Sequence, residues 1–247
     1  MPTGMIGQTQ AASRPLLRGY YQATEVTGPA GLQIALAEAG SFTPNEPAPR
    51  RAGLQVGCVY RLRLTSIPFY EGSELFPTVE IIDRTYPPAE REHRFPIPIV
   101  FDQADMEEAL SGNLVTRVVY LEDNEIAEPV SDAGGRQRVY EAAPTEDALR
   151  TADRLGRPVA IIRFGSRVPD SLDADLTRFC FGFPHWSPIK GLPNRQRLID
   201  DGLWPSVEVP SSPISRTQGE WQSATSTAPS AATAIERTPS VGRVPIR

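Results

Sequence analysis

Leu54-Gln55-Val56-Gly57-Cys58-Val59-Tyr60-Arg61-Leu62-Arg63-Leu64 is the most regular stretch of the chain. Leu54, Val56, Cys58, Tyr60, Leu62 and Leu64 share one face, while Gln55, Arg61, Arg63 and Thr65 dominate the other. Successive side chains of an extended chain point to opposite sides, so this period of two demands a half-buried strand. A helix, turning by about 100° per residue, would scatter the same apolar set around its surface. Residues 54–64 therefore read as one long strand, and the fold must supply a sheet for it.

Working outward, residues 19–26 and 32–36 alternate in the same way. Between them Gly28-Pro29-Ala30-Gly31 is a turn-type cluster, so the pair reads as a hairpin. Residues 40–53, with Gly40, Pro44, Pro47 and Pro49, read as an irregular loop. Downstream, residues 76–82 and 95–101 are further strands. Pro96 and Pro98 remove two N–H groups from the same side of the latter, which places it at a sheet margin.

Two helices interrupt the strands. In 102–111, Asp102 is placed to cap, Met106, Ala109 and Leu110 form an apolar stripe, and Gly112 stands where the chain leaves the helix. In 145–155, Thr145 is placed to cap, Glu146 and Asp147 occupy the positive first turn, and Gly156 closes it. A strand follows each, at 114–121 and 158–164. Those two strands fit either a parallel pair joined by a crossover or a sandwich with helices inserted. The excess of strands ahead of the second helix favours the sandwich. The expected fold is β-rich α+β, an antiparallel β-sandwich-like core with two short helices inserted.

Composition sets the limits. The 247 residues carry a net charge of −5 and 25 prolines, with 40% hydrophobic residues. No apolar run approaches the roughly 18 residues of a membrane helix, so no transmembrane segment is expected. An acidic chain without a basic block is a poor fit to nucleic acid. Residues 1–17 are small and polar, show no signal-peptide pattern, and read as a disordered N-terminal segment. A β-rich core domain at 18–166 follows, then an aromatic- and Pro-containing wrapping segment at 167–205. The Ser/Thr/Pro-rich stretch 206–247 lacks the apolar side chains to offset its ordering entropy and reads as a disordered tail.

The densest candidate for binding is Phe179-Cys180-Phe181-Gly182-Phe183-Pro184-His185-Trp186. Exposed, Phe181, Phe183, His185 and Trp186 would stack on a sugar or a partner surface; buried, they would complete the core. Cys58 and Cys180 read as small buried hydrophobes, and with His93 and His185 they are too few for a closed zinc site. Asp170, Asp173 and Asp175, like Glu122, Asp123 and Glu125, lack a cation-loop pattern and read as caps and solvated turns. Glu80 and Asp83 form a carboxylate pair of the kind glycoside hydrolysis uses, if their separation in space allows. Arg61 and Arg63 share a strand face and read as partners of surface acids. Phosphate-loop, dinucleotide and nucleophile-elbow motifs are missing, so no catalytic residue, metal or cofactor is assigned.

Gly19-Tyr20-Tyr21-Gln22, residues 60–68 (YRLRLTSIP), residues 74–80 (ELFPTVE) and residues 114–123 (LVTRVVYLED) together resemble a family of uncharacterised proteins of planctomycete-type bacteria. Many members look exported or envelope-associated. The resemblance spans roughly 19–165, implies an extracytoplasmic setting, and carries no catalytic residues. The expectation is a non-enzymatic structural or interaction module of the cell envelope, tethered by its tail, with an envelope protein or glycan as partner. The alternative is a glycan- or small-molecule-binding protein, or a weak hydrolase, using 179–186 and nearby carboxylates.

Overall fold

The computed structural model describes residues 2–88, 91–123, 125, 138–142, 146–169, 176–189 and 241–246, with backbone alone for 138 and 241–246. All belong to one unit, Met1–Lys190 with Pro239–Arg247; a second unit, Gly191–Thr238, lies outside the described residues. The chain opens with α1 (Met5–Ser13) and a 3-10 turn (Pro15–Leu17). Strands β1 (Tyr21–Thr27), β2 (Gln33–Glu38), β3 (Ser41–Phe42), β4 (Glu46–Pro47), β5 (Arg50–Gln55), β6 (Val59–Thr65) and β7 (Thr78–Ile81) follow. After a 3-10 turn (Glu92–Arg94) come β8 (Ile97–Val100), α2 (Gln103–Leu110), β9 (Val115–Glu122) and β10 (Arg138–Val139). The remaining elements are α3 (Ala148–Leu155), β11 (Gly156–Phe164), α4 (Leu176–Phe179), β12 (Trp186–Pro188) and β13 (Val241–Ile246).

These strands form two sheets. The smaller has the order β12-β5-β1-β8, and the larger runs β10-β13-β9-β11-β7-β6-β2-β3 with β4 beside β2. Pairing is antiparallel except for β1 with β8 and β10 with β13. Val26, Leu54, Ile97 and Ile99 of the smaller sheet and Leu62, Val79, Val119 and Ile162 of the larger belong to one buried cluster. Edge-to-face packing of Phe101 on Phe164, centroids 5.4 Å apart, adds to it. This is the β-rich sandwich-like architecture the sequence implies, and β8 takes the margin position its prolines dictate. The strands β9 and β11 are antiparallel neighbours, not a crossover pair.

Several expectations need correction. Residues 54–64 are two strands in different sheets. The chain turns after Gln55 at Gly57, whose φ of 89° lies in the left-handed region, and resumes as β6. Leu54, Val56, Tyr60, Leu62 and Leu64 all belong to the main core with Cys58 packed against it, so the same parity faces the core on both sides of the corner. Val59 and Arg61 are buried on the other face. For the same reason 19–36 is no hairpin: β1 pairs with β5 and β8, whereas β2 pairs with β3, β4 and β6. The supposed loop 40–53 contains β3, β4 and the start of β5.

The N-terminal segment expected to be disordered is helical and docked, for reasons given below. With it and the single turn α4, the described helices number four, not two. The expected tail at 206–240 lies outside the described residues, but 241–246 is β13, antiparallel to β9. Among the described residues no helix is long and apolar enough to cross a membrane.

Helix α3 starts later than its sequence suggests. Asp147, not Thr145, stands at the N-cap, and its carboxylate accepts the Leu149 N–H at 2.9 Å. Thr145 lies outside the described residues. Replacing Asp147 by Ala is expected to cost about 1 kcal/mol in urea denaturation, the usual worth of such a cap. An unchanged midpoint would show that the cap contributes nothing.

A groove on the outer face of the larger sheet

The larger sheet presents its second face away from the smaller sheet, and cross-strand register builds a site there. Thr116 of β9 faces Arg163 of β11, Arg163 faces Thr78 of β7, and Thr78 faces Arg61 of β6. The next row on the same face is Val118, Ile161, Glu80 and Val59. An alternation of Thr and Arg thus crosses four strands, about 4.8 Å per step. Ala148 and Leu149 of α3 wall one side, Thr3 and Ile6 stand at the N-terminal segment, and Arg167 and Phe181 complete the rim. Together they bound an open groove of about 650 Å³.

Arg61 is the unusual member of that row. Its side chain is 7% exposed, yet no carboxylate meets it among the described residues. Nε donates to the Phe179 carbonyl at 3.0 Å and Nη1 to the Phe76 carbonyl at 2.7 Å. The guanidinium carbon lies 4.3 Å from the Phe179 ring centroid and 5.2 Å from that of Phe181. Arg167 stacks on the same Phe179 ring at 5.9 Å. Burial lowers the Arg61 pKa to about 10, the buried Cys180 thiol opposes that shift, and the positive charge of Arg167 adds to it. Arg61 is therefore still charged at neutral pH. The pairing of Arg61 and Arg63 with surface acids does not occur among the described residues: Arg63 donates to Asn45 Oδ1 at 3.0 Å.

The carboxylate pair noted in the sequence is fully engaged. Glu80 is 0% exposed; its Oε1 accepts the Gly7 N–H at 2.9 Å, and its Oε2 accepts the Gly4 N–H at 3.0 Å and Arg163 Nη1 at 3.1 Å. Asp83 accepts from Arg14 at 2.9 Å, Arg157 at 2.8 Å and its neighbour's Arg84 N–H at 2.8 Å. Both side chains hold the N-terminal segment and β11 against β7 and the residues just beyond it. Neither is placed as a free acid or base.

The aromatic segment is divided among three environments. Phe179 and Cys180 are buried with Ala37 and Phe76, and half-buried Phe183 packs against them. Phe181, with a φ of 55°, is turned out and 38% exposed at the groove. His185 Nδ1 lies 3.0 Å from the Tyr21 hydroxyl, and Tyr60 donates to the His185 carbonyl at 2.7 Å. Trp186 begins β12 opposite Leu54. Of the four expected binding residues, Phe181 alone lines the groove; His185 and Trp186 lie at the smaller sheet, and Phe183 packs into the cluster of Ala37, Phe76 and Phe179.

Burial pushes the Cys180 thiol up to about 11 and raises that of Cys58, and both are free thiols. Among the described residues no three His, Cys, Asp or Glu side chains converge as metal ligands. Asp170, Asp173 and Asp175 lie outside the described residues. Sequence reading missed Arg163, Thr78 and Thr116 as a group, because register across the strands brings them together with Arg61, and it missed Arg167, which joins them from beyond β11. The chain matches no known family model, no curated protein and no solved structure.

Proposed function

We propose that this chain is a non-enzymatic binding module whose ligand lies in the groove across β9, β11, β7 and β6. The carrying observation is the groove itself. Its about 650 Å³ falls within the roughly 300–1,000 Å³ of small-molecule sites, and its floor mixes aliphatic, hydroxyl and guanidinium groups. The rigid sheet fixes those groups in register, which suits recognition without induced rearrangement. The family resemblance supports an envelope setting, with the Ser/Thr/Pro-rich stretch 206–240 serving by its composition as a spacer. A second reading, glycan binding or weak hydrolysis through 179–186, has one observation in its favour: the exposed Phe181 ring at the rim.

The test is an amide-resolved NMR screen of the full chain against neutral and charged small molecules, sugars included. Ligands are expected to shift Thr116, Val118 and Ile161, and Thr116→Trp, which fills the groove, is expected to abolish those shifts. Binding that maps elsewhere, or persists in Thr116→Trp, overturns the assignment. Turnover of any bound sugar establishes the hydrolase reading in its place.

A further inference from the structure

The groove's polar floor specifies a ligand chemistry more narrowly than its volume does. Three guanidinium groups, Arg61, Arg163 and Arg167, line it. Two carboxylates lie close to them. Glu80 lies on the same face but under the N-terminal segment, shared between two backbone N–H groups and Arg163. Asp147 is the one carboxylate among the lining residues, and it is occupied as the cap of α3. Arg61 and Arg167 thus share one aromatic ring with no ion pair to either among the described residues.

The donors left over point the same way. Arg61 spends Nε and Nη1 on carbonyls, and its Nη2 has no hydrogen-bond partner among the described residues. That nitrogen is not among the sealed polar atoms that lack a partner, so it keeps some exposure, and Arg61 is a lining residue of the groove. Arg163 commits Nη1 to Glu80, and Arg167 makes no hydrogen bond or ion pair among the described residues. Nine-tenths burial of a guanidinium that faces no counter-charge among the described residues is costly, and an anion seated on it would offset that cost.

We propose that Arg61 and Arg167, with Arg163 beside them, dock the oxyanion of a small-molecule ligand, a carboxylate or a phosphate, in this groove. A guanidinium presents its N–H groups in a planar fork matched to both oxyanions, and such charged hydrogen bonds are the strong ones. Phe181, stacked on Arg61, then covers the apolar part of the same ligand. This assignment rests on the groove being the ligand site.

The experiment titrates the full chain with inorganic phosphate and, separately, with acetate, against chloride at matched ionic strength. The amides of Thr78, Thr116 and Arg163 report. Saturable shifts in either arm support the proposal, and the arm that saturates at lower concentration tells phosphate from carboxylate. Arg167→Gln removes no hydrogen bond among the described residues and is expected to weaken that binding at least about tenfold. Arg61→Lys keeps the charge but loses the fork, and a several-fold weakening is expected, with circular dichroism confirming the fold.

Responses equal to those with chloride, or saturation unaltered by Arg167→Gln, overturn the oxyanion assignment. If neutral ligands still bind in the groove and Thr116→Trp still blocks them, that failure belongs to the oxyanion alone. If no ligand of any charge reaches the groove, the binding-module reading fails with it.

Discussion

Glu80→Ala is expected to lose about 3–5 kcal/mol of stability and to release the N-terminal segment. The carboxylate is fully buried on β7, and three donors converge on it from two directions. Two are backbone N–H groups of Gly4 and Gly7, at the end of α1 where such donors have no helical partner. A carboxylate there also meets the positive end of the helix dipole. The third is Arg163. Truncation at position 80 leaves the buried Gly4 and Gly7 N–H groups without an acceptor and removes the partner of Arg163 at the groove.

Glu80→Gln separates charge from shape. The amide oxygen still accepts one N–H, but its NH2 faces donors, so an intermediate loss is expected. Urea denaturation gives the energy, and hydrogen exchange at the Gly4 and Gly7 amides reports the docking of α1. A loss for Glu80→Ala below about 1 kcal/mol, with exchange at Gly7 unchanged, would show that other contacts hold the segment.

That segment also shows where sequence reading fails for a physical reason. Residues 1–17 look featureless because they are small, yet smallness is what their docking requires. A Cβ on Gly7 would stand 3.0 Å from the Ile81 carbonyl and 3.1 Å from Gly57 Cα; one on Gly57 would meet Ala11 Cβ at 2.9 Å. Close approach of two backbones and low complexity have the same local signature. Features decided within a few residues were legible: the parity of 54–64, the marginal place of β8, the helix at 102–111. The corner at Gly57 was hidden because the same parity faces the main core on both sides of it.

The role of Arg61 was hidden for a different reason. Its carbonyl partners lie 15 and 118 residues away, and Arg163 reaches Glu80 across 83. Nothing local distinguishes such an arginine from Arg63 on the same strand, whose partner Asn45 lies in an exposed hydrogen bond. Arg117 repeats the lesson: it forms a buried ion pair with Asp105 of α2. Long-range partners decide whether a charge is a surface ornament or part of a site.

Among the described glycines of the larger sheet the closest approach lies at Gly156, and Gly156→Ala is expected to cost about 3 kcal/mol or more. Gly156 ends α3 and starts β11 opposite Glu122. A Cβ there would lie 2.0 Å from the Leu121 carbonyl oxygen and 2.9 Å from Glu122 Cα. Both are backbone atoms and cannot rotate away. Its φ of 165° is ordinary extended backbone, so the penalty is one of contact and not of conformation. Gly165→Ala is the matched control on the same side of the sheet, with its nearest atom at 3.1 Å, and a cost of no more than about 1 kcal/mol is expected.

Relief at position 156 requires the ends of β9 and β11 to part. The pairing already shifts register between Pro158 and Ala160, so the displacement has a place to be absorbed before it reaches Ile161 and Arg163. Gly156→Ala should therefore lower the urea midpoint and speed exchange at 120–122 and 156–157, while the groove amides of Thr116 and Arg163 keep their shifts. Equal stability of the Gly156→Ala and Gly165→Ala proteins would contradict the close approach at 156. Altered groove shifts would instead show that the two ends of β11 move as one body.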